Sequence, residues 1–114
     1  MANTAGIIRY IGLNDLEEPD ARMVQAIAET HSIEIQRIMR NITNLTLNIK
    51  IYSRTGHRQK YSVHLKVESP TATITSDLSS EWDLQKATAS AFRKLERQIL
   101  HRFHTDTSLS HIRK

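Results

Sequence analysis

Cysteine is absent from the 114 residues. That excludes a disulfide scaffold, a thiolate metal site and a cysteine nucleophile, and it fits a reducing compartment. Only three glycines and two prolines occur, so nothing reads as a flexible linker or a low-complexity tail. No apolar run approaches the roughly 20 residues that a bilayer span needs. The first residues, Met1 to Gly6, lack the basic-then-apolar pattern of a signal peptide. The expectation is a cytoplasmic protein. No glycine-rich phosphate loop, nucleophile elbow or HExxH pattern is present.

What is there is enough for one domain, residues 1–114. Hydrophobic residues make up 39% and charged residues 25%, a globular balance. The net charge of +4 is unevenly placed. Residues 1–40 hold four basic and six acidic groups, residues 41–81 hold five and three, and residues 82–114 hold seven and three. The C-terminal third is therefore distinctly basic, which suggests a polyanionic partner, nucleic acid first.

The periodicities define the elements. Ile7 to Ile11 is a short β-favouring run closed by Gly12. Glu17, Glu18 and Asp20 surround Pro19, as suits the first turn of a helix. Met23, Val24, Ile27, Ala28, Ile35, Ile38, Met39 and Ile42 then follow at steps of three and four, so a helix is expected from about Pro19 to Arg40. His31 falls on this stripe as a histidine at the edge of the core. Leu45, Leu47, Ile49 and Ile51 alternate with Thr46, Asn48, Lys50 and Tyr52. Tyr61, Val63, Leu65 and Val67 alternate with Lys60, Ser62, His64 and Lys66. These are two half-buried strands joined by a hairpin loop over Ser53 to His57. Thr71 to Thr75 adds a shorter strand. Ser80 with Asp83 resembles a capping box. Leu84, Ala87, Ala91, Leu95, Ile99 and Phe103, widened by Phe92, mark a second helix. The core should cover about residues 7–104, with 105–114 a frayed tail.

The order β-α-β-β-β-α predicts an α+β, two-layer sandwich, a four-stranded sheet with both helices packed on one face. Candidate chemistry is sparse. His101 and His104 stand three apart on the second helix, but no third ligand accompanies them at helical spacing, so no metal, cofactor or catalytic residue is expected. The basic residues form the stronger constellation. Lys86, Arg93, Lys94, Arg97, His101 and His104 recur at steps of three, four and seven on the side away from the apolar stripe. A rigid row of cations matches a row of phosphates and gains by counterion release. Arg54, His57 and Arg58 crowd the hairpin tip, and Lys50, Lys60 and Lys66 add charge to the open sheet face. Arg37 and Arg40 close the first helix, where they also complement its dipole.

Trp82-Asp83-Leu84-Gln85-Lys86-Ala87, followed by Lys94-Leu95-Glu96-Arg97-Gln98-Ile99, resembles the last helix of the ribosome hibernation-promoting factor family, which includes the ribosome-associated inhibitor A proteins. The element order is also similar to that family's, over about residues 7 to 104. The resemblance implies a short-form factor that binds the small ribosomal subunit through its ribosomal RNA, inhibits translation by idle ribosomes under stress and is not an enzyme. It nominates Lys86, Arg93, Lys94, Arg97, His101 and Arg102 as RNA-binding, with Arg37 and Arg40 from the first helix. It implies no small-molecule substrate and no membrane partner, and a monomer or weak oligomer. The first helix departs from the pattern, since Glu29, Glu34 and Gln36 occupy its exposed side. A double-stranded RNA-binding domain and a protein-interaction domain with no RNA role are the competing readings.

Overall fold

The computed structural model describes residues 8–39, 41–56, 58–76 and 79–103, the side chains of 53–55 and 103 excepted. The chain runs β1 (Ile8–Ile11), α1 (Glu18–Ile38), β2 (Asn44–Thr55), β3 (Arg58–Ser69), β4 (Ala72–Thr75), β5 (Ser79–Glu81) and α2 (Leu84–Phe103). A single 3-10 turn, Leu13–Asp15, sits between β1 and α1.

β1 and β2 pair in parallel, with Ile8 opposite Leu45 and Tyr10 opposite Leu47. A parallel pair needs a crossover, and α1 supplies it. The remaining pairings are antiparallel. β4 and β5 lie along the same edge of β3, at Lys66–Ser69 and Tyr61–Val63 respectively. Ser76 bridges the interval between them: its N–H donates to the Leu65 carbonyl (2.9 Å) and its hydroxyl accepts from the Leu65 N–H (3.0 Å). The sheet is thus the expected four-stranded path with an interrupted fourth strand, and the α+β sandwich with both helices on one face stands as the sequence implies.

The core lies where the alternation predicts. Leu45, Leu47 and Ile49 of β2 and Val63, Leu65 and Val67 of β3 are buried, facing Val24, Ala28 and Ile35 of α1 and Ala87, Ala91, Phe92, Leu95 and Ile99 of α2. Burying the valine, leucine, isoleucine and phenylalanine side chains among them contributes about 1.5–3 kcal/mol each. Among the described residues the opposite sheet face carries no helix, and its side chains are mainly polar.

Three local expectations need correction. The hairpin loop does not span Ser53 to His57: the ladder continues to Thr55 opposite Arg58, and Gly56 takes the positive φ (59°) that a two-residue hairpin connection requires. Ser80 is not a helix cap; it pairs with Ser62 as part of β5. Asp83 is the cap, its Oδ1 accepting from the Lys86 N–H at 3.1 Å. The first helix ends at Ile38 rather than Arg40, with Met39 extended and Asn41 at φ 63°, a left-handed position that asparagine tolerates. The tail 105–114, with His57 and His104, lies outside the described residues.

Gly12 ends β1 at a place where no other residue fits. Its φ is +90°, and a Cβ there would come within 2.0 Å of the Ile49 carbonyl oxygen. The close approach lets the chain leave the sheet edge directly into the 3-10 turn.

Candidate nucleic-acid interface

α2 has two sides. Leu84, Ala87, Ala91, Leu95 and Ile99 are buried, which fixes the helix's rotation about its axis. Lys86, Arg93 and Arg97 consequently emerge on one exposed side, at steps of seven and four. Lys94 and His101 flank that row, Lys94 partly buried and His101 exposed. From Lys86 to His101 the row extends about 22 Å at 1.5 Å per residue. Lys86, Arg93 and Arg97 form no ion pair among the described residues.

The one carboxylate in α2, Glu96, is turned away from the row and toward α1. Its Oε2 lies 2.7 Å from His31 Nδ1. The His31 ring stacks on Phe92 at a centroid distance of 5.0 Å and an interplanar angle of 17°. His31 is a core-edge histidine, as its stripe position implies, and it is also a clamp between the helices. Phe92 fixes the ring's plane, and the ring holds the carboxylate. The arrangement removes the negative charge of α2 from the cationic side.

The other nominated residues divide. Arg102 is exposed but falls one heptad after Leu95, on the core-facing side of the helix, and stands apart from the row. Arg37 donates to Glu34 at 3.0 Å, a locally neutral pair on the outside of α1. Arg22 and Glu18 form a second such pair at 3.0 Å. With Glu29 also exposed, the outer side of α1 offers no cationic surface comparable to that of α2. Arg40 lies outside the described residues, and Arg54 is placed in β2 without a described side chain. Arg58 is exposed beside the hairpin connection, its guanidinium carbon 4.6 Å from the Trp82 ring centroid.

Sequence reasoning passed over Tyr52 and Trp82. Lys60 Nζ lies 6.0 Å from the Tyr52 ring centroid and 5.8 Å from that of Trp82. A signal for Tyr52 was present: it occupies the polar register of its strand, with Asn48 and Lys50. Nothing in the local pattern of Trp82 indicated that β5 would bring it to the hairpin.

Tyr10 is a clearly perturbed group. Its hydroxyl is buried with no hydrogen-bond partner among the described residues. Burial, with the Glu29 carboxylate adding to it, pushes its pKa up to about 12. Among the described residues no three His, Asp or Glu side chains converge as a metal site would require, and no helix is long and apolar enough to cross a membrane.

No family model and no curated protein matches the chain.

Proposed function

We propose that this protein binds the small ribosomal subunit through its ribosomal RNA and holds idle ribosomes inactive, with the exposed row on α2 as its RNA contact. The observation that carries the reading is the one-sided chemistry of α2. Lys86, Arg93 and Arg97 share an exposed face, while the helix's only carboxylate is engaged by His31 on another side. A folded RNA presents closely spaced phosphates, and a rigid cationic row on a helix meets them without first being ordered. Arginine adds bidentate contact to phosphate and stacking on unpaired bases. The β-α-β-β-β-α order and the Lys94–Ile99 segment support the hibernation-factor form of this reading over a generic RNA binder.

The double-stranded RNA-binding alternative is less well supported. Such a domain places three strands between two helices, whereas β1 here is an integral strand paired along β2. The role assigned is binding, with no chemical step. Co-sedimentation with separated ribosomal subunits at low and high salt tests it. The expected result is salt-sensitive, near-stoichiometric recovery with the small subunit, abolished when Arg93, Lys94 and Arg97 are all exchanged for Glu. Recovery unchanged in that triple variant would remove α2 as the contact. Binding to generic duplex RNA with none to the subunit would favour the double-stranded RNA reading.

A further inference from the structure

The sheet face opposite the helices is a second, chemically distinct surface. The register places Arg9, Thr46, Lys66 and Thr75 in one row across it, and Lys50, Ser62 and Ser80 in another. Between these rows lie Asn48 and His64. Cations outnumber carboxylates here, since among the paired positions of this face only Glu68, at one end, is acidic.

At the hairpin end the face becomes aromatic. The β2–β3 register steps from Ile51 opposite Tyr61 to Ser53 opposite Lys60, leaving Tyr52 as the extra residue of a β-bulge. Alternation already sets Tyr52 on the same face as Asn48 and Lys50, and the bulge leaves it without a cross-strand partner there. Tyr52 is 53% exposed and Trp82 37%, although aromatic side chains of this size normally seek the core. Both stand beside cations, with Lys60 near both rings and Arg58 over the indole. Next to this cluster is a depression of about 270 Å³ lined by Asn48, Lys50, Ser62 and His64.

We propose that this open sheet face is a binding site for single-stranded RNA. Exposed rings among cations on a rigid sheet provide what an unpaired strand needs: π-faces on which bases stack and positive charge for the backbone between them. Tyr52 offers one stacking platform. The Arg58 guanidinium, layered on Trp82, offers a second, since guanidinium planes also accept bases. Lys50 and Lys66 are placed for phosphates. Asn48, Ser62 and His64 supply the donors and acceptors that read the edge of a base seated in the depression. Duplex RNA keeps its base faces covered and could not use the rings. The inference does not depend on the α2 surface, which faces the other way.

Trp82 is the only tryptophan in the chain, so its fluorescence reports on the aromatic end of this face, and the α2 variants separate any contribution from the row that begins at Lys86. The full-length protein is titrated with an oligouridylate of about a dozen nucleotides, following both Trp82 emission and the anisotropy of a label on the oligonucleotide. Binding should change Trp82 emission, weaken with salt and exceed binding to a blunt duplex of equal length. Losing one stacked base at Tyr52→Ala should weaken affinity about tenfold, while Tyr52→Phe should retain it. Glu in place of Arg93, Lys94 and Arg97 should leave the emission change intact, so failure of either RNA surface is seen separately from the other. The proposal is overturned if the oligonucleotide leaves Trp82 emission unchanged, if the duplex binds equally well, or if Tyr52→Ala binds like the parent protein. A polyglutamate chain that competes as strongly as the oligonucleotide would also overturn it, marking the face as a site for acidic protein.

Discussion

Replacing Arg93 and Arg97 by Gln should change how binding to the small subunit depends on salt, by an amount the geometry of α2 sets. The two residues are one helical turn apart, about 6 Å along the axis, and both are exposed. If Lys86, Arg93 and Arg97 each neutralise one phosphate, the slope of log affinity against log salt is about −2.1 to −2.7, at 0.7–0.9 per contact. Raising salt from about 50 to about 200 mM then costs the parent protein roughly 20- to 40-fold in affinity. The double variant keeps one contact, a slope of about −0.7 to −0.9 and a loss of only about threefold over the same range. Arginine and glutamine have similar helix propensity, so the unfolding midpoint should not move. Arg22→Gln with Arg37→Gln is the matched control, because both of those arginines are already paired on α1. Small-subunit binding measured across a salt series decides the matter. A slope that is the same in parent and double variant refutes the assignment of phosphate contacts to this row, whatever happens to affinity at a single salt concentration.

Other consequences are structural. His31→Ala removes both the stack on Phe92 and the bond to Glu96; a loss of about 1–2 kcal/mol in chemical unfolding is expected, together with weaker subunit binding as Glu96 is released beside the cationic row. Gly12→Ala sets a Cβ against the Ile49 carbonyl at a positive φ, and should lower stability by more than the roughly 1–2 kcal/mol that left-handed strain alone costs; a thermal melt equal to the parent's would show that the turn can relax. Tyr10 keeps its proton in the folded state up to about pH 12, whereas an unfolded tyrosine releases it near pH 10. The folded state therefore binds more protons between these values, so stability is intact below about pH 10 and falls as pH rises through the window. Tyr10→Phe should remove this contribution and, by deleting an unpartnered buried hydroxyl, match or exceed the parent's stability at neutral pH, by about 1 kcal/mol at most.

Most of the fold was legible because most of it is periodic. The alternation of Leu45–Ile51 and Tyr61–Val67 states which residues face inward, and burial follows it except at the hairpin end, where Ile51 and Tyr61 are only half-buried and Ser62 is buried. The stripes of both helices set their inward sides, although Ser32 and Thr88, which the apolar stripes omit, are also buried. What periodicity cannot carry is pairing between segments distant in sequence. β5 is three residues long and, by itself, reads as the approach to a helix. Its strand identity comes from Tyr61–Val63, which offers it an open edge. His31 and Glu96 are 65 positions apart, and no local pattern joins them. The side of Tyr52 was legible from alternation, but its meeting with Trp82 depends on the short edge strand β5, a tertiary decision. The cationic row on α2 was legible because it lies within one helix, where spacing alone fixes the shared side.

The helical layer is electrically asymmetric, and this bears on how a polyanion would meet it. α1 carries four carboxylates, Glu18, Asp20, Glu29 and Glu34, against two guanidiniums, both paired with carboxylates. α2 carries five lysine and arginine residues against Glu96 alone. The helices pack side by side, so the boundary between repulsive and attractive surface runs along their contact, where the His31–Glu96 bond sits. A phosphate backbone would be turned from the α1 side and drawn to the α2 side, which fixes orientation before any specific contact forms. Charge reversal on α1, Glu29→Lys with Glu34→Lys, should therefore raise affinity for RNA while lowering discrimination between the cognate subunit and unrelated duplex. A rise in affinity with discrimination intact would mean that contacts on α2 alone, and not the field of the helix pair, set the orientation.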